Sequence, residues 1–416
     1  MASVEETYTR RTSKSKTFHR GIAASLPGGE TRSVAGYDPH PVVLISGSGQ
    51  VVRDLDDNQY LDLLNNYTSL VHGHSHPQIT AAVLGTLPGG TVFPAPHPAQ
   101  GQLARRLAAR LPAVELTRFT NSGSEAAVLA ARLARHVTGR DRIVAFTGGY
   151  HGTGERFADS WDTVIRLPYN DIAAVRAAVD GTVGAVFAEP FLGSGGVVPA
   201  REDFLHAAAE SARAAGALFV LDEIQGLRNH YHGTHAALGL SPDLVLMGKI
   251  IGGGFPVGAV GGRADLLDNL STSAPRQLAH SGTFNGNVLS MVAGDVSVEL
   301  LTEAAVARLD RMAARLQDDI IGAGKHAGLD VTVTRAGSVM HVHFLADQPA
   351  DYEAAERDDR RPAALLHLAL LNHGVYTAPR GMLNLSTALS DGDLDVAAEA
   401  YERAFAAVAA EWGPAA

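Results

Sequence analysis

The sequence predicts an α/β protein: a mainly parallel sheet in a large domain with helices on both faces, and a smaller α+β domain formed from the N- and C-terminal segments. Three observations carry this. Between residues 115 and 265, short β-rich runs (Arg142 to Phe146, Val183 to Ala188, Leu218 to Leu221, Leu244 to Met247, Val257 to Gly261) alternate with amphipathic helical stretches. Two of these runs end in charged side chains, Asp222-Glu223 and Lys249, at the strand ends where open α/β sheets bind ligands. After Val288 the pattern changes to a long helical region followed by short strands and a helix around Ala363 to Asn372.

Taken in order, Val42 to Ile45 and Gln50 to Leu55 flank Ser-Gly-Ser-Gly and read as a hairpin, followed by the turn cluster Asp56-Asp57-Asn58. Alanine-rich helices are expected at Ala126 to Arg135 and Ala207 to Ala217. The C-terminal strands are expected at Val331 to Thr334, Ser338 to Phe344, Val375 to Thr377 and Leu383 to Leu385. This divides the chain into an arm and part of the small domain (1–65), a large domain (66–300) and the rest of the small domain (301–416).

With 416 residues, 46% of them hydrophobic, the chain has ample material for a large core. It contains no cysteine, which excludes disulfides, thiolate metal sites and a cysteine nucleophile. A net charge of -10 argues against nucleic-acid or membrane-surface binding, and the local basic run Arg105 to Arg110 does not alter that. No apolar run reaches membrane-spanning length and the first twenty residues have no apolar core, so the expectation is a soluble cytoplasmic protein.

The chemistry centres on Lys249, delivered by the apolar run Leu244 to Met247 to the lip of a glycine-rich turn. Burial there penalises the ammonium and frees a neutral amine to condense with an aldehyde. Asp222, at the end of the neighbouring run, is the matching partner: a lysine that forms a Schiff base and a carboxylate that keeps a pyridine nitrogen protonated point to pyridoxal 5′-phosphate (PLP). A structural Lys249–Asp222 ion pair is the alternative. Asn121-Ser122-Gly123-Ser124-Glu125 opens a helix, and such starts leave amides for a phosphate; a helix cap without ligand explains the same residues. Gly148-Gly-Tyr150-His151-Gly152 places a ring and an imidazole on a loop at the sheet edge, where Tyr150 stacks on a planar ligand or simply packs. His280-Ser-Gly-Thr283-Phe-Asn-Gly-Asn287 is glycine-rich and suits an anion. Gly252-Gly-Gly254 lacks dinucleotide spacing. His72-Gly-His74-Ser-His76 is the one tight histidine cluster and reads as a structural turn, so no metal is expected.

Ser-Gly-Ser-Glu, Gly-Tyr-His-Gly, Asp-Glu-Ile-Gln, Gly-Lys and Gly-Thr in this order, spanning about Leu26 to Leu394, resemble the class III aminotransferases, PLP-dependent transferases of fold type I with the aspartate-aminotransferase architecture. The resemblance implies that Ser122, Gly123 and Ser124 hold the cofactor phosphate, with serine at 124 where the family more often has threonine. It further implies that Tyr150 and His151 flank the ring, Asp222 binds its nitrogen, Ile224 packs on the inner face, Gln225 meets the phenolic oxygen, and Lys249 is the catalytic attachment point. Thr283 resembles the residue that reaches the phosphate from a neighbouring subunit, implying a homodimer with shared sites.

Within the family the chain is most similar to the β-phenylalanine aminotransferases, through Pro27-Gly-Gly-Glu-Thr-Arg32-Ser-Val, His280-Ser-Gly-Thr-Phe-Asn285 and Pro379-Arg380-Gly381. By that likeness Arg32 holds a β-amino acid carboxylate, Arg380 the carboxylate of a keto acid such as 2-oxoglutarate, and Tyr67, Thr68, Pro94, His97 and Met382 wall the pocket. The related glutamate-1-semialdehyde aminomutases would place their arginine at Ala35, which counts against that reaction here. Gln225 and Val288 also depart from the pattern. The expected reaction is ping-pong transamination between an amino donor and a keto acid; an aminomutase, a racemase and a non-catalytic binding module are the rivals.

Overall fold

The computed structural model describes residues 2–153 and 163–412. At its centre lies a seven-stranded sheet in the order Leu116–Thr120, Gly258–Gly262, Leu244–Gly248, Leu218–Asp222, Val183–Ala188, Arg142–Phe146, Val164–Leu167. Gly258–Gly262 runs antiparallel to both its neighbours and the remaining pairings are parallel. The five inner strands lie where the sequence placed them. The two outer ones, Leu116–Thr120 and Val164–Leu167, escaped the reading because edge strands keep exposed and half-exposed polar positions such as Thr117, Arg118 and Arg166.

Strands Val183–Ala188, Leu218–Asp222, Leu244–Gly248 and Gly258–Gly262 are buried at every position, which explains their continuous apolar character: both faces of the sheet are covered. Alternate residues divide between the faces. Leu218 and Val220 join the cluster beneath helix Gly123–Thr138, whereas Phe219 and Leu221 join the one beneath helix Glu202–Ala215. Each helix stops at a glycine in the left-handed region, Gly139 and Gly216.

The parallel arrangement matters for chemistry because it gathers strand ends at one edge. Thr147 to His151, Glu189, Asp222 and Lys249 follow four neighbouring strands, and Asn121 to Ser124 follow a fifth.

The predicted hairpin forms from Leu44–Ser48 and Val51–Asp54, turning at Gly49 with a bulge between Leu44 and Ser46. A third strand, Gln59–Asp62, extends it, and Val375–Tyr376 adds in parallel, so the C-terminal segment returns to the N-terminal sheet. Thr332–Ala336, Val339–His343 and Met382–Asn384 form a separate antiparallel sheet. The long helical region is two helices, Val288–Leu300 and Glu303–His326; the second starts where Thr302 accepts the Ala305 amide proton. Arg110, from the basic run, is buried: it donates to the carbonyls of Tyr231, Val298 and Leu301 and lies 4.5 Å from the Tyr231 ring centroid. Among the described residues, no helix is long and apolar enough to cross a membrane.

Candidate active site

A cavity of about 530 Å³ opens where the strand ends converge, bordered at one end by Lys249, Asp222 and the start of helix Gly123–Thr138, and at the other by Arg32 and Asn66. Lys249 follows its strand with a left-handed backbone, φ 49°, and turns its side chain into the cavity. Burial pushes its ammonium down to about 8, against the opposing pull of Asp222 and Glu189. Among the described residues Lys249 makes no salt bridge. Asp222 spends its oxygens elsewhere, Oδ2 lying 2.8 Å from His151 Nδ1 and Oδ1 accepting the Ile224 amide proton at 3.0 Å. The structural ion pair is therefore not what these residues form, and the lysine is left to react.

The helix start is a cradle. Ser122 caps it, its Oγ accepting the Glu125 amide at 3.2 Å, and the Glu125 carboxylate turns back to the Asn121 amide at 2.9 Å. Among the described residues the Gly123 and Ser124 amides have no partner, so the cap leaves two donors and the positive end of the dipole facing the cavity. A side chain at Gly123 would sit 2.6 Å from Ile224 Cδ1, which is why this position is bare. Ser124 Oγ accepts the Thr153 amide at 3.2 Å and ties the cradle to the Gly148 to Gly152 loop. Gln225 lines the cavity with its Oε1 buried and unpartnered, an orphan acceptor or, with its amide turned, donor that a bound ligand would satisfy.

The far end is built differently. Asn65, Asn66, Tyr67 and Thr68 all have positive φ (49°, 47°, 55° and 75°), a complete turn of left-handed backbone without a glycine. Such a conformation costs about 1–2 kcal/mol per ordinary residue, less for asparagine. A buried network holds it: Asp62 Oδ1 accepts the Leu64 and Asn65 amides, Asn65 Nδ2 donates to the Asn384 carbonyl, and Asn384 Nδ2 donates to the Leu64 carbonyl. Arg228, 1% exposed, completes it by donating to Asn384 Oδ1, Ser338 Oγ and the carbonyls of Thr68 and Leu385; burial pushes this guanidinium down to about 9.

The turn presents Asn66 to the cavity, where its Oδ1 accepts from Arg32 at 2.8 Å, and directs Tyr67 aside so that its hydroxyl donates to the Val34 carbonyl at 2.6 Å. Consequently Tyr67 does not border the cavity, nor do Thr68, Pro94, His97 or Met382. Instead the Tyr67 ring lies near two guanidiniums, Arg32 at 5.9 Å and Arg380 at 5.7 Å. Arg380 borders a second cavity of about 430 Å³; its Nε is buried and unpartnered, and its Nη2 makes only long contacts of 3.5 Å to the Gly193 carbonyl and Met382 Sδ. Thr283 is exposed and borders neither cavity of its own chain.

The sequence reading missed Glu189, Asn66 and Arg228. Glu189 could have been found, since it stands one residue past Val183–Ala188, as Lys249 stands one past its strand. The histidine cluster is structural: His72 bonds Thr387 Oγ1 and the Ser297 carbonyl, and His74 Nε2 lies 2.7 Å from Asp62 Oδ2. His341, His343 and Asp358 bring ligand-type atoms within 4.8 Å of one another, but both His343 nitrogens already have partners in Asp358, Thr334 and the Gly196 carbonyl.

A buried lysine with a depressed pKa, a buried carboxylate at the end of the neighbouring strand and a helix start with two available amides at the same sheet edge match the family whose pattern fits residues 33–391, aminotransferase class-III. The chain belongs to the class-III aminotransferases. The β-phenylalanine transaminase of Variovorax paradoxus is 38% identical over 406 residues, covering 94% of this chain and 93% of that one. Its solved structure superposes with a TM-score of 0.92 at 37% identity, over 96% of both chains. A glutamate-1-semialdehyde 2,1-aminomutase of Geobacillus kaustophilus is 35% identical over 422 residues, covering 94% of this chain and 98% of that one. A solved transaminase with PLP bound, 32% identical, matches with a TM-score of 0.90 over 96% of this chain and 99% of that one. The fold is that of the PLP-dependent transferases of fold type I, and the cofactor of this class-III enzyme is PLP. The residues present fit it: two available amides for a phosphate, an orphan amide side chain at Gln225, a buried carboxylate at Asp222 and a lysine with a depressed pKa.

Proposed function

We propose that this aminotransferase moves an amino group from a β-amino acid to an α-keto acid such as 2-oxoglutarate in a ping-pong cycle, the first product leaving before the second substrate binds. One observation carries the substrate class: Arg32 and Arg380 both lie within 6 Å of the Tyr67 ring centroid, at 5.9 Å and 5.7 Å, giving two carboxylate anchors for two carboxylate-bearing substrates. The likeness to the Variovorax enzyme supports the same donor class.

Bound PLP supplies the aldehyde for attachment and an electron-withdrawing ring. In this reading the Gly123 and Ser124 amides, with Ser122 beside them, hold its phosphate; Tyr150 covers the outer face and Ile224 the inner. Asp222, oriented by His151, keeps the ring nitrogen protonated, and Gln225 meets the phenolic oxygen. Lys249 Nζ would be the base that takes the proton from the amine-bearing carbon of the donor and the acid that returns it, a role that suits an amine lowered to about 8 by burial. Arg32, steadied by Asn66, fixes the donor carboxylate.

We further infer a homodimer in which Thr283 reaches the partner's phosphate site. Phe284 is 57% exposed and Phe93 43%, and the Asn287 side chain and Val288 amide bind the Thr91 carbonyl, which holds together the two segments that expose these rings. Asn285 Oδ1 accepts from Asn121 Nδ2 at 2.9 Å, so the segment carrying Phe284 adjoins the cradle. A cytoplasmic location completes the reading, in keeping with the net charge of -10.

The test is the visible spectrum of the PLP-loaded protein during addition of 3-amino-3-phenylpropanoate and then 2-oxoglutarate. Loss of the cofactor band with the first and return with the second supports the reading. A band that neither compound disturbs removes the substrate assignment in favour of aminomutase or racemase chemistry.

A further inference from the structure

Glu189 has no part in the transfer described above, yet it lines the cavity at 5% exposure. Its Oε2 accepts the Tyr150 amide at 2.9 Å and its Oε1 the Gly193 amide at 3.4 Å, while its own carbonyl accepts from the Tyr169 hydroxyl at 2.7 Å. Two loops are thereby pinned by one carboxyl group. One carries Tyr150 and His151; the other carries Gly193, whose carbonyl faces Arg380. The side chain also borders the space above Gly149, where the point a Cβ would occupy lies 3.2 Å from Glu189 Oε2 and 3.6 Å from His151 Nε2. His151 thus meets Asp222 through Nδ1, while its Nε2 and the Glu189 carboxyl border the same space above Gly149.

We propose that Glu189 is a positioning residue of the active site that clamps the Tyr150 loop to the Gly193 turn and, with His151, holds the proton that sets the charge beside Asp222 and Lys249. Among the described residues, the charged and titratable groups around it are His151, Asp222, Lys249 and Tyr169, with Arg380 reached through Gly193 and Arg166 acting on His151. Burial raises Glu189 to about 7, opposed by His151, and His151 is itself held above its usual value by Asp222 and Glu189 despite its burial. Two arrangements share one proton. With it on Glu189, the imidazole is neutral and donates Nδ1–H to Asp222; with it on His151, an imidazolium bonded to Asp222 lies near the Glu189 carboxylate. In the second arrangement the Glu189 charge also favours the protonated form of the Lys249 nitrogen. The proton reserve would let Asp222 keep a constant charge while the lysine nitrogen gains and loses its own.

The experiment is a pH titration of the visible cofactor band in the PLP-loaded wild type, Glu189→Gln and Glu189→Asp enzymes. Losing the Glu189 charge lowers the band's midpoint by about one pH unit in Glu189→Gln, the size of effect one neighbouring charge exerts. Glu189→Asp, which keeps the charge, retains the wild-type midpoint. A clamp without a proton role would leave the midpoint the same in all three, and that result overturns the proposal. Should Glu189→Gln not fold, infrared spectra of the wild-type holoenzyme decide: a carboxylic-acid stretch that disappears as pH rises through about 7 supports the proposal, and its absence on the acid side refutes it. The proposal rests on Lys249 as the attachment site. A Lys249→Ala enzyme that keeps the visible band removes that earlier reading, whereas an immobile midpoint with the band intact removes this one alone.

Discussion

The two ends of the cavity are made by opposite means. The Lys249 end uses ordinary secondary structure: parallel strands that stop at the same edge, a helix whose first amides are available, and a glycine at 123 where a side chain would strike Ile224. Its function costs little conformational strain beyond Lys249 itself. The Arg32 end is a left-handed turn of four non-glycine residues, kept in place by the buried Asp62, Asn384 and Arg228. The proposed phosphate site rests on backbone geometry common to many α/β folds. The substrate-facing end is where strain is stored, and strain of this kind persists only when neighbours over-determine it.

The strongest way to break the comparison is at the lysine. Lys249→Ala should abolish the visible cofactor band and lower transamination by at least about 10³-fold, since it removes both the attachment group and the proton carrier. In the wild type, the rate at which apo-protein takes up PLP should rise with pH and level off above a midpoint near 8, because only the neutral amine attacks. The stability consequence has a definite sign. A lysine whose folded pKa lies below its unfolded value near 10.5 is less protonated in the fold, so the apo-protein gains stability as pH rises from about 8 toward 10.5, and Lys249→Met should erase that slope. A midpoint near 10.5 would show the side chain to be solvated.

Next in size is Arg228→Met. It leaves the Asn384 Oδ1, Ser338 Oγ and two carbonyl acceptors without their donor, each worth about 1–3 kcal/mol when buried and unsatisfied, offset in part by relief from burying a cation. A net loss of about 3 kcal/mol is expected in urea unfolding of the apo-protein. The enzyme that remains should lose donor affinity while its PLP affinity stays near wild type. Equal losses at both would mean that the two ends are not independently built.

This difference also explains what the sequence disclosed. The Lys249 end was legible because strand ends, helix starts and glycine turns leave local signatures: Asp222 after an apolar run, Ser122 to Glu125 before an alanine-rich helix. The five buried strands were legible for the same reason. The turn at Asn65 to Thr68 was not, because Asn-Asn-Tyr-Thr contains no glycine to mark positive φ and its supports come from Arg228, Ser338 and Asn384, far along the chain. For Tyr67 a position in the pocket wall was expected. The reversed backbone instead places Asn66 at the cavity and the Tyr67 ring within 6 Å of two arginines.

Smaller effects sharpen the substrate end. Arg32→Ala and Arg380→Ala each remove one charge-assisted anchor, worth about 1.5–3 kcal/mol or roughly ten- to hundredfold in kcat/KM. If the arginines divide the labour as proposed, Arg32→Ala acts on the β-amino donor half-reaction and Arg380→Ala on the keto-acid half-reaction, measured separately by single-turnover changes in the cofactor band. Equal effects on both half-reactions would make the two arginines a single shared site.

The finest test isolates the strain itself. Asn66→Gly and Asn66→Ala both remove the 2.8 Å hydrogen bond to Arg32, so both should raise the donor KM by a similar few-fold factor. They differ in backbone. Glycine accepts φ 47° without steric cost, whereas alanine carries the left-handed penalty. Glycine's greater freedom in the unfolded chain offsets part of its advantage, leaving alanine less stable by about 0.5–1 kcal/mol. The comparison is read from the urea midpoints of the two variants at equal m-values. If the midpoints coincide, or alanine is the more stable, the turn is not left-handed in solution and the strain argument for the substrate end falls, while the Lys249 end is untouched.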